Sequence, residues 1–339
     1  MFKKGKPYRV KIIDFTFCMG SIPGMVLGMH GINMYEDSME VKIWRVAYPV
    51  LLCLFINMIV QVIFTIGVTM AEFSALNDGS VWNYFSAYNF SGDIERVVSE
   101  NTLIVTLLSG IITIPVALQL MKRDEDAIRY MSVKEHISNI RFHSSHFIVA
   151  LGALASAGIS KVVTIFPIDN IIGSYESIRT EFASNDLIWQ ITALVFAGPC
   201  MEELIFRGLV YKRIKRYTNN MSAVYISAIM FGVYHFNLVQ GIYGFALGVL
   251  LCYVYEKYET ILAPVLLHIS ANLTALVIDY LPVSEDINNN IYLKVLLMLI
   301  EVGAMVAVLW RMNNIDGINK KRFHLVDIKY GTKKEQDKE

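Results

Sequence analysis

Six polar residues fall in segments that otherwise read as membrane spans, and their types are those of hydrolytic chemistry. Segment 198–208 reads GPCMEELIFRG and carries Glu202, Glu203 and Arg207. Segment 231–235 reads FGVYH and ends on His235, while segment 268–272 reads HISAN and carries His268 and Asn272 at i and i+4. A charge at the centre of a bilayer costs about 2.5–3.5 kcal/mol on insertion scales, so three unpaired ones would cost about 8–10 kcal/mol. Glu203 and Arg207 stand at i and i+4, where opposite charges meet on a helix and can brace one another. Glu202 lies about 100° round the same helix, beside Phe206, and is left to face a cavity.

Peptide hydrolysis needs an activated water, a proton carrier and a partner for the oxyanion. In one arrangement Glu202 and His235 activate the water while His268 and Asn272 donate to the oxyanion. In the other, zinc is held by Glu202, His235 and His268 and activates the water itself. Residue types alone leave both routes open. The bland alternatives are a packing role for each histidine and a structural brace for Glu203 and Arg207. An unpaired Glu202 with two histidines and an asparagine at one depth favours function.

The elements that must position these groups are membrane helices. The chain has 339 residues, 55% of them hydrophobic, and zero formal net charge. Requiring roughly 20 apolar residues per span, candidate spans fall at 46–71, 103–121, 146–167, 187–211, 221–238, 241–256, 261–281 and 291–310. The reading is an all-α, polytopic transmembrane helix bundle of about eight spans. With the N-terminus in the cytosol, 25 of the 30 Lys and Arg lie on the cytosolic side. Outer loops 72–102 and 168–186 carry Arg96 and Arg179 alone. The positive-inside rule thus puts both termini in the cytosol, for an integral, multi-pass protein of the cell membrane.

At 1.5 Å per residue from the cytosolic helix ends, Glu202 lies about 15 Å deep, His235 about 20 Å, His268 about 13 Å and Asn272 about 20 Å. The four share a slab in the middle to cytosolic half of the bilayer. Pro199 removes a backbone hydrogen bond just before the glutamates, and Gly198 eases the bend. Gly244 and Gly248 form a small-xxx-small surface for close helix approach.

Other features fit a membrane role. Cys18, Cys53, Cys200 and Cys252 sit in apolar runs at unrelated spacings, which argues against a disulfide framework or a Cys-ligated zinc. Residues 15–32 read as an interfacial or re-entrant segment rather than a cleaved signal. Lys161 and Glu301 are further intramembrane charges, a brace for each other or the lining of a pathway. His136, His143 and His146 read as surface histidines of a cytosolic loop, Asn89 as a sequon on an outer loop, and Trp44, Tyr48 and Trp310 as interfacial anchors. No nucleotide-binding glycine loop, Gly-x-Ser-x-Gly elbow or His-Glu-x-x-His helix occurs, and nothing points to a nucleic-acid partner.

The three motifs together, in this order on three spans, resemble the CAAX protease and bacteriocin-processing (CPBP, or Abi) family of intramembrane proteases. The resemblance covers about residues 187–281. It implies endopeptidase activity, with Glu202 as catalytic base, Glu203 and Arg207 as its support, and His235 on water or metal. It places His268 and Asn272 on the oxyanion or metal side. It also implies a peptide or lipid-modified protein substrate in the bilayer, with zinc as the cofactor if a metal is used. The chain then divides into a basic segment 1–45, N-terminal helices and loops 46–186, a protease-like core 187–282 and a last helix with cytosolic tail 283–339. A non-catalytic scaffold or immunity protein on the same fold, or an ion-coupled transporter, are the rival readings.

Overall fold

The computed structural model describes residues 38–75, 90–126, 142–165, 185–281 and 290–315. The described residues form eight helices. These are α1 (Met39–Ala75), α2 (Phe90–Asp126), α3 (Phe142–Ile165), α4 (the continuous helix over 187–217), α5 (Asn220–Tyr234), α6 (Leu238–Tyr258), α7 (Leu262–Tyr280) and α8 (Ile291–Ile315). Each overlaps one span expected from hydropathy. Six of them are long and apolar enough to cross a membrane. The chain is an integral, multi-pass membrane protein. The expected positions of both termini, the segment 15–32, Cys18, Asn89 and His136 lie outside the described residues.

Two helices fall short of that criterion for different reasons. Helix α5 has 15 residues, about 22 Å of rise, less than the roughly 30 Å of a hydrocarbon core. It stops at Tyr234 and not at 238, because residues 235–237 turn back into α6 with Phe236 in the left-handed region at φ 52°. Asn219 caps its start by accepting from the Ser222 amide at 2.8 Å, and Asn237 caps α6 by accepting from the Gln240 amide at 3.0 Å. Helix α4 is interrupted by two π-helical stretches, Gln190–Ala197 and Leu204–Tyr211, with α-helical Gly198–Glu203 between them.

Helices α1 and α2 are longer than their apolar cores suggest. Each has 37 residues, about 55 Å of helix, well beyond the bilayer core. Much of the expected outer loop 72–102 is therefore helical, with Arg96 bonded to Glu72 at 3.0 Å and to Glu100 at 3.1 Å. A hydropathy window sees only the apolar part of such a helix, and misses its polar continuation.

Helix α4 is the centre of the bundle. It is contacted by α1, α2, α5, α6 and α7, and every residue of Leu204–Tyr211 is buried. Helix α3 packs between α7 and α8. Its crossing with α7 is close because Gly152 lies against the Leu267 carbonyl and Ser270. The expected Gly244 and Gly248 surface faces α5, where Gly244 abuts Gly232 and Gly248 abuts Ala228.

At two of the prolines inside these helices, a side chain from another helix takes the place of the missing backbone donor. Pro49 cannot donate to Arg45 O, and Arg213 Nη1 donates to that carbonyl at 2.6 Å. Arg213 also binds Asp124 at 2.8 Å and Tyr48 Oη at 2.8 Å, which ties α1 and α2 to the C-terminal end of α4. The second case, Pro199, belongs to the site. Lys161 and Glu301 pair at 2.5 Å between α3 and α8, the contact required by the first of their two expected roles, a mutual brace. Cys53, Cys200 and Cys252 are free thiols.

Candidate functional site

The site is built on the short α-helical stretch of α4 and closed by α7 and the end of α5. Glu203 has no solvent exposure, and its Oε1 receives two donors. Arg207 Nη1 donates to it at 2.8 Å, the expected i and i+4 brace, and His268 Nδ1 donates to it at 2.8 Å. Arg207 is equally buried, donates from Nη2 to Gly248 O at 3.2 Å, and lies over the Phe231 ring with its Cζ 4.5 Å from the centroid. A cation on an aromatic face is attracted by the ring quadrupole, and more strongly away from water.

The imidazole of His268 therefore lies between the two glutamates. Its Nδ1–H is used by Glu203, which leaves Nε2 facing Glu202 Oε2 at 3.7 Å. The carboxylate of Glu202 retains 17% exposure, whereas that of Glu203 has none. The adjacent acids thus have different surroundings: Glu203 is locked, and Glu202 borders open space. Depth along the helices gave the height of these groups but not their bearing, and His268 is the histidine the structure sets beside Glu202.

His235 is half-buried at the C-terminus of α5, in the turn. Its Nδ1 donates to Phe231 O at 2.8 Å, so its Nε2 is turned away from its own backbone. Its ring stands edge-on to Phe231 with centroids 5.0 Å apart, and the His268 ring stands edge-on to the same phenyl at 5.7 Å. Phe231 is the shared wall. Phe206 packs edge-on against it at 5.0 Å and against Tyr234 at 5.3 Å. Tyr234 Oη meets Cys53 Sγ at 3.5 Å, which brings α1 against this wall.

Asn272 shares a face with His268, as its spacing requires, but its Nδ2 donates to Leu194 O at 2.8 Å. The Gly248 carbonyl and the Phe231 ring both hold Arg207, a part that sequence reasoning did not assign to either residue. The small spacing of Gly244 and Gly248 signalled close approach, yet not which group would accept the guanidinium.

Three donors of one set are needed for the expected zinc ion. Among the described residues, no group of three or more His, Cys, Asp or Glu side chains is gathered closely enough to hold a metal ion. Glu202 and His268 Nε2 supply two donors of suitable type, and Glu203 orients the histidine as an outer acid does at many metal sites. His235 is not drawn in with them.

These motifs have relatives. Residues 184–274 match the family model described as "Type II CAAX prenyl endopeptidase Rce1-like". The likeness to that family covers these residues, little more than a quarter of the chain. The Bacillus subtilis (strain 168) protein named "Putative membrane peptidase YdiL" is 29% identical over 86 residues, 25% of this chain and 35% of that protein. The match thus spans about a third of that relative's length. No solved structure matches the chain at a significant level.

Proposed function

We propose that the chain is an intramembrane endopeptidase that hydrolyses a peptide bond of a membrane-associated peptide or lipid-modified protein. The observation that carries this reading is Glu202 facing His268 Nε2 at 3.7 Å while Glu203 fixes the other ring nitrogen. With Nδ1–H committed to Glu203, both Nε2 and Glu202 present lone pairs. A water between them has an acceptor for each of its protons.

Hydrolysis then needs only the protein's own groups. The water oxygen adds to the scissile carbonyl carbon and its proton passes to Glu202. The carbonyl oxygen becomes the oxyanion, for which the His235 imidazole is the proposed partner. The proton on Glu202 moves to the amide nitrogen, the oxyanion re-forms the carbonyl as the C–N bond breaks, and the water's second proton passes by way of His268 Nε2 to the released amine, so an ammonium and a carboxylate leave. General acid–base work of this kind contributes typically 10²–10⁴-fold. Glu203 and Arg207 touch no reacting atom in this scheme; they orient His268. Of the three residues expected for zinc, Glu202 and His268 stand together and His235 stands apart, so no step of this scheme is routed through a metal.

The test is cleavage of fluorogenic peptides, free and lipid-anchored, by protein purified in detergent, with metal content measured on the same sample. Cleavage that is lost in His268→Ala supports the reading. Cleavage equal in wild type and His268→Ala overturns it.

A further inference from the structure

Three arginines meet one carboxylate where the polar ends of α1, α2 and α4 come together. Arg213 donates from Nε to Asp124 Oδ2 at 2.8 Å and from Nη2 to Oδ1 at 3.1 Å, so it engages both carboxylate oxygens. Arg216, one turn further along α4, reaches Oδ2 only at 3.7 Å, beyond hydrogen-bond distance. Arg45 belongs to the same cluster, because its carbonyl accepts from Arg213 Nη1 at 2.6 Å and its charge acts on Arg216. Burial pushes the Arg216 guanidinium below the ordinary arginine value; Asp124 opposes this, while Arg213 and Arg45 add to it. Lys215 adds nothing to the excess, since Glu256 takes its ammonium at 2.6 Å. Three guanidinium charges thus stand around the single charge of Asp124.

The cluster lies at the level where a bilayer presents its phosphates. The apolar run 46–71 begins directly after Arg45, the run 103–121 ends three residues before Asp124, and the run 187–211 ends two residues before Arg213. Trp44 and Tyr48 mark the same level, as aromatic anchors do, with ring centroids 6.3 Å apart. The Tyr48 ring carries Arg213 on its face, with Cζ 4.6 Å from the centroid. An excess of guanidinium charge partly withdrawn from water favours an anion, and the planar fork of arginine matches phosphate oxygens. The Arg216 side chain keeps 18% exposure, so such an anion can reach it.

We propose that Arg45 and Arg216, steadied by the Arg213–Asp124 pair, form a binding site for an anionic phosphate group at the joined ends of α1, α2 and α4. The headgroup layer of the bilayer is the nearest source of such a group, and a soluble phosphate compound is the other. A phosphate here bridges α1 to α4, the helix that carries the two glutamates, and adds to the tie that Arg213 already makes. Its readout is stability, so it stands or falls independently of the protease reading.

The experiment titrates full-length protein in detergent with phosphatidylglycerol, phosphatidylcholine or inorganic phosphate at fixed ionic strength and follows thermal melting. It compares wild type with Arg216→Gln, Arg45→Gln and Arg311→Gln, the last an exposed arginine of α8 outside the cluster. Phosphatidylglycerol is expected to raise the wild-type melting temperature at concentrations where phosphatidylcholine, whose phosphate is balanced by choline, does not. Arg216→Gln and Arg45→Gln are each expected to raise the half-saturating concentration about 10-fold, the scale of a lost hydrogen bond to a charged group. Arg311→Gln is expected to leave it unchanged. Should Arg45→Gln fail to fold, Arg216→Gln decides alone. A shift with the lipid only assigns the site to headgroups, and a shift with inorganic phosphate as well assigns it to soluble phosphate compounds. The proposal is overturned if neither phosphatidylglycerol nor inorganic phosphate raises the wild-type melting temperature. It is overturned too if Arg311→Gln weakens the shift as much as Arg216→Gln does, because the attraction would then belong to the surface charge as a whole.

Discussion

Glu202 and His268 face each other at 3.7 Å across the α4–α7 interface, and the residue next to Glu202 in the chain holds the far nitrogen of the same ring at 2.8 Å. Two consecutive acids thus grip one imidazole from both sides. Only a helix face rotated to point both carboxylates toward α7 permits this. The arrangement separates orientation, the task of Glu203, from proton transfer, the task assigned to Glu202.

The Glu203–Arg207 pair is a structural brace, and its loss is expected to cost folding as well as rate. Both side chains have no exposure, and stripping one partner from a buried pair typically costs about 3–5 kcal/mol because a charge remains uncompensated. Arg207→Ala should therefore lower the denaturation midpoint in detergent by that order. Arg207→Lys should recover little, since one ammonium cannot reach Glu203 Oε1 and Gly248 O together from beneath Phe231. A midpoint for Arg207→Ala equal to wild type would contradict the brace.

Two glycines set how closely helices meet, and each has its own expected cost. A methyl at Gly152 would clash with the Leu267 carbonyl, a backbone atom that cannot swing aside. A methyl at Gly248 would lie 3.1 Å from Ala228 Cα and 3.4 Å from Arg207 Nη2. Gly152→Ala is expected to destabilise by about 1–3 kcal/mol, the usual cost of overpacking. Gly248→Ala is expected to disturb Arg207 and lower cleavage as well. Chemical denaturation and initial rates on the two variants check this; unchanged denaturation of Gly152→Ala would contradict the packing.

Lys161 and Glu301 test the transporter alternative. Glu301 lines a cavity of about 240 Å³ between α3, α6 and α8, with Gly158, Val249 and Met305 among its walls. Its Oε1 is held by Lys161, while Oε2 has no partner. Replacing a buried ion pair by apolar residues of similar volume is often neutral or stabilising. The double variant Lys161→Met, Glu301→Leu is expected to cleave peptides as wild type does. If cleavage disappears while melting is unchanged, the pair is part of the working site and not a brace.

Much of this was legible in the sequence. The eight helices, the Glu203–Arg207 pair and the meeting of Glu202 with a histidine, His268, follow from hydropathy and from the rise of a helix. What hydropathy could not give is azimuth, and azimuth decides that His268 rather than His235 approaches Glu202. That rotation follows the π-helical stretch before Pro199, whose last hydrogen bond runs from the Gly198 amide to Ala193 O. The polar ends of α1 and α2 were equally hidden. Residues 90–102 carry too many charges to register as a span, yet they continue the helix and are held by Arg96, Glu72 and Glu100.

The most direct test concerns Glu202 itself. Glu202→Gln keeps the size and hydrogen-bonding shape of the side chain but removes the base, and the site leaves room for it because Glu203 carries the structural contacts. The measurement is the initial rate of cleavage of one fluorogenic peptide by wild type and Glu202→Gln, purified side by side in detergent, with melting curves on both. The account predicts a loss of about 10²–10⁴-fold in kcat at nearly unchanged melting temperature. Equal rates in the two proteins would contradict it.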